Sequence, residues 1–162
     1  MAIEQEAVDN MVSVFGGRAL AAALYLSEDS HHIVAGPVVP RLAKWSDAVA
    51  LLPDNDVCWI LTNVYFATMG GGKRHKTVLC SYAPDDLTRK SYREAVQRKM
   101  SVALAAADFK HLPCFANASV FMHQCRGPAD LDVNTVVEKA SKFEMGTVDP
   151  SSVEKFANGV AI

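Results

Sequence analysis

The spacing of apolar and polar positions divides the chain into a helix, two strands, a helix, two strands, a long helix, a strand and a helix. Apolar residues recur every three or four positions in three segments, which predicts amphipathic helices over residues 3–15, 40–52 and 130–142. Short apolar runs between turn residues predict strands over residues 18–26, 31–34, 57–68, 77–82 and 112–120. This order predicts an α/β (α+β) fold, in which helices cover both faces of a mixed sheet of five or six strands.

The most distinctive pattern is a β-hairpin over residues 65–82. Two apolar runs flank the triple glycine at 70–72 and a polar stretch that contains Lys73, Arg74 and Lys76. Glycine permits the turn that a hairpin needs, so the pattern predicts a projecting tip with positive charge concentrated on it. No neighbouring acid relieves the repulsion between these cations, which indicates that the tip meets a partner.

The longest helix is predicted over residues 85–108, with Asp85 or Asp86 as its N-terminal cap. On a helical wheel one side of this helix is apolar and is predicted to face the core; it is formed by Tyr92, Val96, Met100, Ala103 and Ala107. The opposite side carries alternating charges at four-residue spacing, as on a solvated face: Lys90, Glu94 and Arg98. Arg89 and Arg93 lie at the edge of the stripe, where a helix packed on a core would carry apolar residues. These two arginines therefore indicate either that the helix extends beyond the sheet at this end or that they contact a partner.

Residues 1–142 are predicted to form one domain, because 162 residues can bury a single core without disulfides or metal. Residues 143–162 are predicted to form a tail with one turn of helix at 151–154. Three apolar residues of the tail are available for packing: Val153, Phe156 and Val160. No apolar run reaches the roughly 18 residues of a membrane-spanning helix, and the acidic N-terminus does not have the layout of a secretory signal. A cytoplasmic protein is expected.

Residues that could carry chemistry are sparse. Four widely spaced cysteines, with no Cys-x-x-Cys pair, are expected to be reduced and buried: Cys58, Cys80, Cys114 and Cys125. The five histidines have no metal-ligand spacing. A phosphate-binding loop is excluded because Ala67 and Arg74 occupy the positions that would need glycine and serine or threonine. No cofactor, metal ion or catalytic activity is expected.

Charge is distributed unevenly along the chain. The net charge is −2, but residues 73–99 carry eight of the 16 basic residues against three acids. This segment is therefore strongly positive and the remainder of the chain is strongly negative. Such asymmetry indicates an acidic partner that meets one face of the protein.

Three segments carry familiar patterns. Residues 73–82 are similar to the hairpin strand Lys-Arg-Ser-Lys-Phe-Ala-Leu-Ile-Thr-Trp of coactosins. Residues 82–86, Tyr-Ala-Pro-Asp-Asp, are similar to the Trp-x-Pro-Asp/Glu that precedes the long helix of cofilins, and residues 131–140 are similar to the closing segment and helix. With the matching order of elements, the chain resembles the actin-depolymerising-factor homology (ADF-H) family over roughly residues 3–142, and most closely its coactosin-like branch.

The resemblance implies an actin-binding module of the cytoplasm and cytoskeleton, without enzymatic activity. It implies contacts to filamentous actin through eight cations of the hairpin and long helix: Lys73, Arg74, Lys76, Arg89, Lys90, Arg93, Arg98 and Lys99. Lys76 corresponds to the lysine on which filament binding by coactosins depends, and Lys90 and Lys99 match basic positions of the long helix. Weaker binding of monomeric actin and of phosphoinositide headgroups is a further expectation.

Departures from the cofilin pattern favour binding to the side of filaments without depolymerisation. Tyr92-Arg93 replaces a Lys-Met pair of the long helix, and the first serine, Ser13, lies inside a helix, whereas many cofilins carry a regulatory serine earlier. One alternative is a monomer-binding and severing factor of the cofilin type. Another is a basic strip that binds anionic lipid or nucleic acid, although nucleic acid is not expected because Tyr92, the only aromatic of the strip, is assigned to the core. The tail is a candidate for self-association.

Overall fold

A mixed six-stranded sheet forms the centre of the computed structural model, which describes residues 1–142, 144 and 146–162. The strands are β1 (Ala2–Ile3), β2 (Ala19–Leu26), β3 (His32–Pro40), β4 (Cys58–Ala67), β5 (Lys73–Tyr82) and β6 (Val120–Cys125). The helices are α1 (Gln5–Phe15), α2 (Trp45–Val49), α3 (Tyr92–Lys110), α4 (Pro113–Ala116), α5 (Val133–Ala140) and α6 (Pro150–Ala157), with a 3-10 turn at Pro128–Leu131. This architecture confirms the predicted fold class.

The strands follow the order β1-β3-β2-β4-β5-β6 across the sheet. The four inner strands pair antiparallel, and the two outermost pairs, β1 with β3 and β5 with β6, are parallel. The parallel β5–β6 pair needs a long crossover, and α3 and α4 supply it. The longest ladder joins β4 to β5 over ten residue pairs, from Cys58–Tyr82 to Ala67–Lys73.

Each face of the sheet has its own apolar core because strand side chains alternate between faces. On one face α1, α3 and α4 cover Leu61 and Leu79. On the other face α2, α5 and α6 cover Ile60 and Val78. The expectation that helices cover both faces is therefore confirmed.

Several element boundaries differ from the predicted ones. The predicted strand at 31–34 continues to Pro40, because antiparallel pairing with β2 carries the chain through Gly36-Pro37. The helix predicted over 40–52 is reduced to the five residues of α2. The strand predicted over 112–120 is wrong, since a prolyl residue starts the short helix α4 there and the strand β6 begins only at Val120.

The long helix begins seven residues later than predicted and presents a different face to the core. Ser91 caps it by accepting a hydrogen bond from the amide of Glu94 at 3.1 Å, so neither Asp85 nor Asp86 is the cap. The core-facing residues are Ala95, Arg98, Ser101, Val102, Ala105 and Phe109. The predicted inward stripe is wrong because α3 carries two apolar stripes of helical period. The stripe that is buried contains Arg98, which made it look polar in the sequence.

The tail packs against the sheet. Val153 and Phe156 of α6 are buried in the core that α2 and α5 share, whereas Val160, which was also expected to pack, is half exposed. Val148 pairs with Thr68 at the end of β4, and further backbone hydrogen bonds join residues 147–149 to the same strand end. Residues 143 and 145 of the predicted tail lie outside the described residues.

Candidate functional site

The hairpin turn occupies residues 68–72 and is built on glycine. Gly70 and Gly71 have φ angles of 101° and 102°, a region that other residues rarely adopt. The amide of Thr68 donates to the carbonyl of Gly72 at 2.9 Å and closes the turn. The turn itself is uncharged, so the expectation of a charged tip needs correction: the cations begin with β5, because pairing with β4 continues down to Lys73.

Two of the three hairpin cations share one carboxylate. The side chains of Arg74 and Lys76 point to the face that α5 and α6 cover, and both reach Glu144 of the tail, at 3.2 Å and 2.5 Å. These contacts, led by the hydrogen bond from Lys76, hold the pKa of Glu144 below its usual range. The expectation that no acid relieves the repulsion is therefore wrong, and sequence distance concealed the partner. The exposed side chain of Lys73 has no partner within the described residues.

His75 lies between the cations and belongs to a polar cluster on the other face of β5. Its imidazole stacks on Tyr65 with ring centroids 4.9 Å apart, and its Nε2 is 2.8 Å from Oδ1 of Asn63. Burial, reinforced by the nearby cations Arg41 and Lys76, lowers the pKa of His75. The ring is therefore neutral at neutral pH and adds no charge to this end of the sheet.

The side chain of Arg98, a residue of α3 that was predicted to be solvated, is fully buried. Its guanidinium forms a bidentate pair with Asp56, with both N–O distances 2.8 Å. The remaining donors reach the carbonyls of Leu26 and Ser27 at 3.0 Å and 2.9 Å, and the hydroxyl of Ser30 at 3.2 Å. All five N–H groups therefore have acceptors. Arg98 joins α3 to the β2–β3 turn and to the start of β4, and it exposes no surface to a partner.

Arg89 belongs to the same network. Its guanidinium contacts Glu28 at 3.0 Å, Glu94 at 3.4 Å and Asp56 at 3.7 Å, and its side chain is only 17% exposed. Both arginines thus pair with acids that are distant in sequence, and Arg89 also pairs with Glu94, five positions away. The irregular place of Arg89 on the predicted helical wheel reflects internal ion pairing, whereas Arg93, the other irregular arginine, is exposed.

The exposed side of α3 carries an apolar stripe, which is the one assigned to the core from sequence. Tyr92 is 86% exposed, Met100 58% and Leu104 69%, and Val96 between them is partly exposed. A groove of about 630 Å³ runs along this stripe, with Met1 and His31 among the residues of its wall. A row of large apolar side chains on the surface is typical of a binding surface.

Three cations flank the stripe. Lys90 and Arg93 are exposed near the start of α3, and neither side chain has a partner within the part of the chain that the structure describes. Lys99 is partly exposed and donates from Nζ to the carbonyl of Asp85 at 3.2 Å. The stripe and these cations together form the helix surface.

The eight predicted site cations therefore separate into three groups. One lies on β5, one surrounds Asp56 inside the fold, and one lies on the helix surface. The positive segment of the sequence does not fold into one continuous basic strip, because Arg98 of α3 and Arg89, just before the helix, are turned inward.

The cysteines and histidines give little sign of a reactive site. Cys58, Cys80 and Cys125 are buried and all four cysteines are free, as expected, although Cys114 is partly exposed. Hydrogen bonding from Cys80, assisted by His123, lowers the pKa of Cys125 to about 6, but this thiol is enclosed by the core. The described residues contain no group of three or more potential metal ligands. Among the same residues, no helix combines the length and apolarity needed to cross a membrane.

The fold and the family comparison define the class of protein. The family model of cofilin/tropomyosin-type actin-binding proteins matches residues 2–141. The chain therefore belongs to this family, whose fold is the ADF-H domain. No curated protein sequence matches the chain significantly.

Solved structures from several branches of the family share the fold. Cofilin from Streptomyces griseoflavus is 18% identical, with a TM-score of 0.70 over 87% of this chain and 97% of that one. Human coactosin-like protein is 15% identical, with a TM-score of 0.63 over 92% and 94%. Coactosin from Entamoeba histolytica is 12% identical, with a TM-score of 0.65 over 88% and 95%. Similarity at this level shows the common fold and does not choose between branches.

Proposed function

We propose that this protein binds the side of actin filaments in the manner of coactosins and modulates filament stability or turnover. The observation that carries the proposal is the exposed apolar stripe on α3, the helix that the family resemblance places against the actin subunit. Burying large side chains such as Met100 and Leu104 supplies free energy of association, and the cations beside them favour the acidic surface of a partner.

A second surface supports filament binding in preference to binding of a single subunit. Lys73, Arg74 and Lys76 lie at the far end of β5, about 20–30 Å by strand geometry from Tyr82, where the chain leads toward α3. Moreover, Arg74 and Lys76 point to the face of the sheet opposite the one that α3 covers. Two separated surfaces suit a polymer, in which neighbouring subunits can each take one of them.

Arg89 and Arg98 are omitted from the proposed contacts. Their guanidinium groups are engaged inside the fold, so they act by holding α3 in place. The proposed actin contacts are the helix surface and the three hairpin cations: Tyr92, Met100, Leu104, Lys90, Arg93, Lys99, Lys73, Arg74 and Lys76.

A monomer-binding and severing activity of the cofilin type is the second candidate, because the helix surface alone would suffice for it. A lipid- or nucleic-acid-binding strip is less well supported, since the cations do not form one continuous surface. The exposure of Tyr92 corrects the earlier assignment of this residue to the core, but a single aromatic side chain provides little of the stacking that single-stranded nucleic acid needs.

Cosedimentation with filamentous actin tests the proposal. The double variant Met100→Glu/Leu104→Glu should bind filaments at least about tenfold more weakly than wild type, because two carboxylates replace the apolar contact. Leu42→Glu is the matched control, since Leu42 is also a large exposed apolar residue but lies away from α3. Equal loss in the control, or no loss in the double variant, would contradict the helix surface as the contact.

The hairpin is tested separately by replacing Lys73, Arg74 and Lys76 with alanine. The triple variant should lose filament pelleting and keep any binding to monomeric actin, because only the filament offers a second subunit. Lys139→Ala/Lys155→Ala, two exposed cations elsewhere, is the control. Accelerated loss of pyrene-labelled filaments on addition of wild-type protein would favour the cofilin-type alternative.

A further inference from the structure

We propose that the free edge of β6, with the groove beside it, binds an extended acidic segment of a partner protein, which joins the sheet as a seventh strand. β6 is the last strand of the sheet and pairs through one edge with β5. Within the described residues, no backbone hydrogen bond reaches its other edge. Such an edge presents N–H and C=O groups that a strand of another chain can pair with.

The sequence of β6 lacks the features with which proteins usually protect an edge strand. Val120–Cys125 contains no proline and no lysine, aspartate or glutamate. The opposite edge of the sheet differs, because β1 has only two residues and the neighbouring strand β3 contains Pro37 and Pro40. One edge of this sheet is thus protected and the other is open to pairing.

The groove beside the open edge indicates the chemistry of the partner. A volume of about 490 Å³ lies between α3, β6 and the end of β5, with apolar side chains such as Val102 and Met122 along it. Three cations line the groove, Lys99, Lys110 and Arg126, against a single acid, Asp85. The side chains of Lys110 and Arg126 are exposed and have no partner among residues 1–142, 144 and 146–162.

The spacing of the cations suits an extended chain. Lys99 and Lys110 are separated by 11 helical positions, which is about 16 Å along the axis of α3. Five residues of a strand span a similar length. Because only alternate side chains of a strand share a face, we expect acids at the first and fifth of these residues, with a β-branched residue midway between them on the same face to pack on Val102 and Met122.

Charge disfavours a second copy of this chain as the occupant. Lys110 is the last residue of α3, from which the chain passes through α4 to the start of β6, and Arg126 directly follows the end of β6. In an antiparallel pairing of two β6 edges, Lys110 of one copy would approach Arg126 of the other. Like charges would then meet at both ends of the pairing.

The test uses a fluorescein-labelled peptide, Gly-Glu-Thr-Val-Thr-Glu-Gly, in which both glutamates and the valine share one face of a strand, and measures binding to the full chain by fluorescence anisotropy. Two control peptides separate the contribution of strand hydrogen bonds from the contribution of charge. One carries N-methyl groups on its three central residues and cannot donate strand hydrogen bonds from them, and the other has lysine in place of glutamate. Both should bind at least about tenfold more weakly than the acidic peptide.

On the protein side, Lys110→Glu/Arg126→Glu should weaken peptide binding about tenfold, as expected from reversing two exposed charges. Lys139→Glu/Lys155→Glu makes the same change of charge away from the groove and should leave binding unchanged. Amide shifts in a ¹⁵N-labelled sample should be largest in β6. The peptide comparison uses wild-type protein, so it decides the question even if the charge-reversal variant is unstable.

Four results would overturn the proposal: no binding of the acidic peptide, equal binding of the N-methylated peptide, equal effects of the two double variants, or amide shifts away from β6. If the amides of β6 shift with protein concentration in the absence of peptide, the occupant is a second copy and the assignment to a partner is wrong.

Discussion

Replacement of Arg98 gives the sharpest test of how α3 is held in place. Arg98→Met preserves the length of the side chain and removes all five donors, which leaves Asp56, two carbonyls and the Ser30 hydroxyl without this partner. Breaking a buried ion pair by removing one member typically costs 3–5 kcal/mol. The carboxylate of Asp56 is 22% exposed, so water can hydrogen-bond to part of it. We therefore expect Arg98→Met to lower the free energy of unfolding by about 3 kcal/mol, the lower limit of this range.

Thermal unfolding followed by circular dichroism measures this loss. For a domain of this length, 1 kcal/mol shifts Tm by about 2–4 °C, so Arg98→Met should melt about 6–12 °C below wild type. Arg93→Met is the matched control, because Arg93 is exposed on the same helix without a described partner, and its effect should stay within about 0.5 kcal/mol. Arg98→Lys should fall between the two, since it keeps the charge and loses the bidentate geometry.

A double-mutant cycle with Asp56→Asn separates the ion pair from the other contacts. The effects of Asp56→Asn and Arg98→Met should be non-additive by more than about 0.5 kcal/mol, because each removes the partner of the other. If Arg98→Met melts within 2 °C of Arg93→Met, or if the cycle is additive, the buried network does not stabilise α3 and the reasoning fails.

Three further predictions concern titratable groups. Partial burial holds the pKa of His75 below its usual value, so an NMR titration of its ring should give a midpoint below that of an ordinary histidine. Lys76→Ala should raise this pKa, and an unchanged midpoint would contradict the role of this cation. The pKa of Glu144 is lowered, so its ion pairs with Arg74 and Lys76 should persist as pH falls to the usual glutamate pKa and be lost as pH falls through the lowered pKa. A titration of the Glu144 carboxyl in the usual range would contradict these ion pairs. Iodoacetamide at pH 7.5 should label Cys114 before Cys125, because Cys114 is partly exposed and Cys125 is buried, although Cys125 has the lower pKa. The reverse order of labelling would show that the core opens readily.

The three arginines in and just before the long helix have two different tasks. Arg98 and Arg89 neutralise acids inside the fold and position α3, whereas Arg93 remains available on the surface. Variants of the first kind should lower stability, and their apparent loss of actin binding should follow the fraction unfolded. Variants of the second kind should change affinity at constant Tm, so the two measurements together distinguish the tasks.

Local patterns in the sequence determined the strands that pair with their sequence neighbours. Apolar runs between turn residues located β2, β4 and most of β5, and helical spacing located α1 and α5, because each of these signals depends only on nearby residues. The same reasoning identified the family resemblance over most of the chain and excluded a phosphate-binding loop.

Only the tertiary structure decided which side of α3 faces the core and which cations are free. The helix carries two stripes of similar period, and the buried one contains Arg98, whose partners Asp56 and Ser27 are more than 40 positions away in the sequence. Glu144 is likewise 70 positions from Arg74. Hydrophobic spacing cannot report such pairings, because an arginine is compatible with the interior only where distant acceptors satisfy it. The resulting exposure of Tyr92, Met100 and Leu104 is what makes the long helix a candidate binding surface.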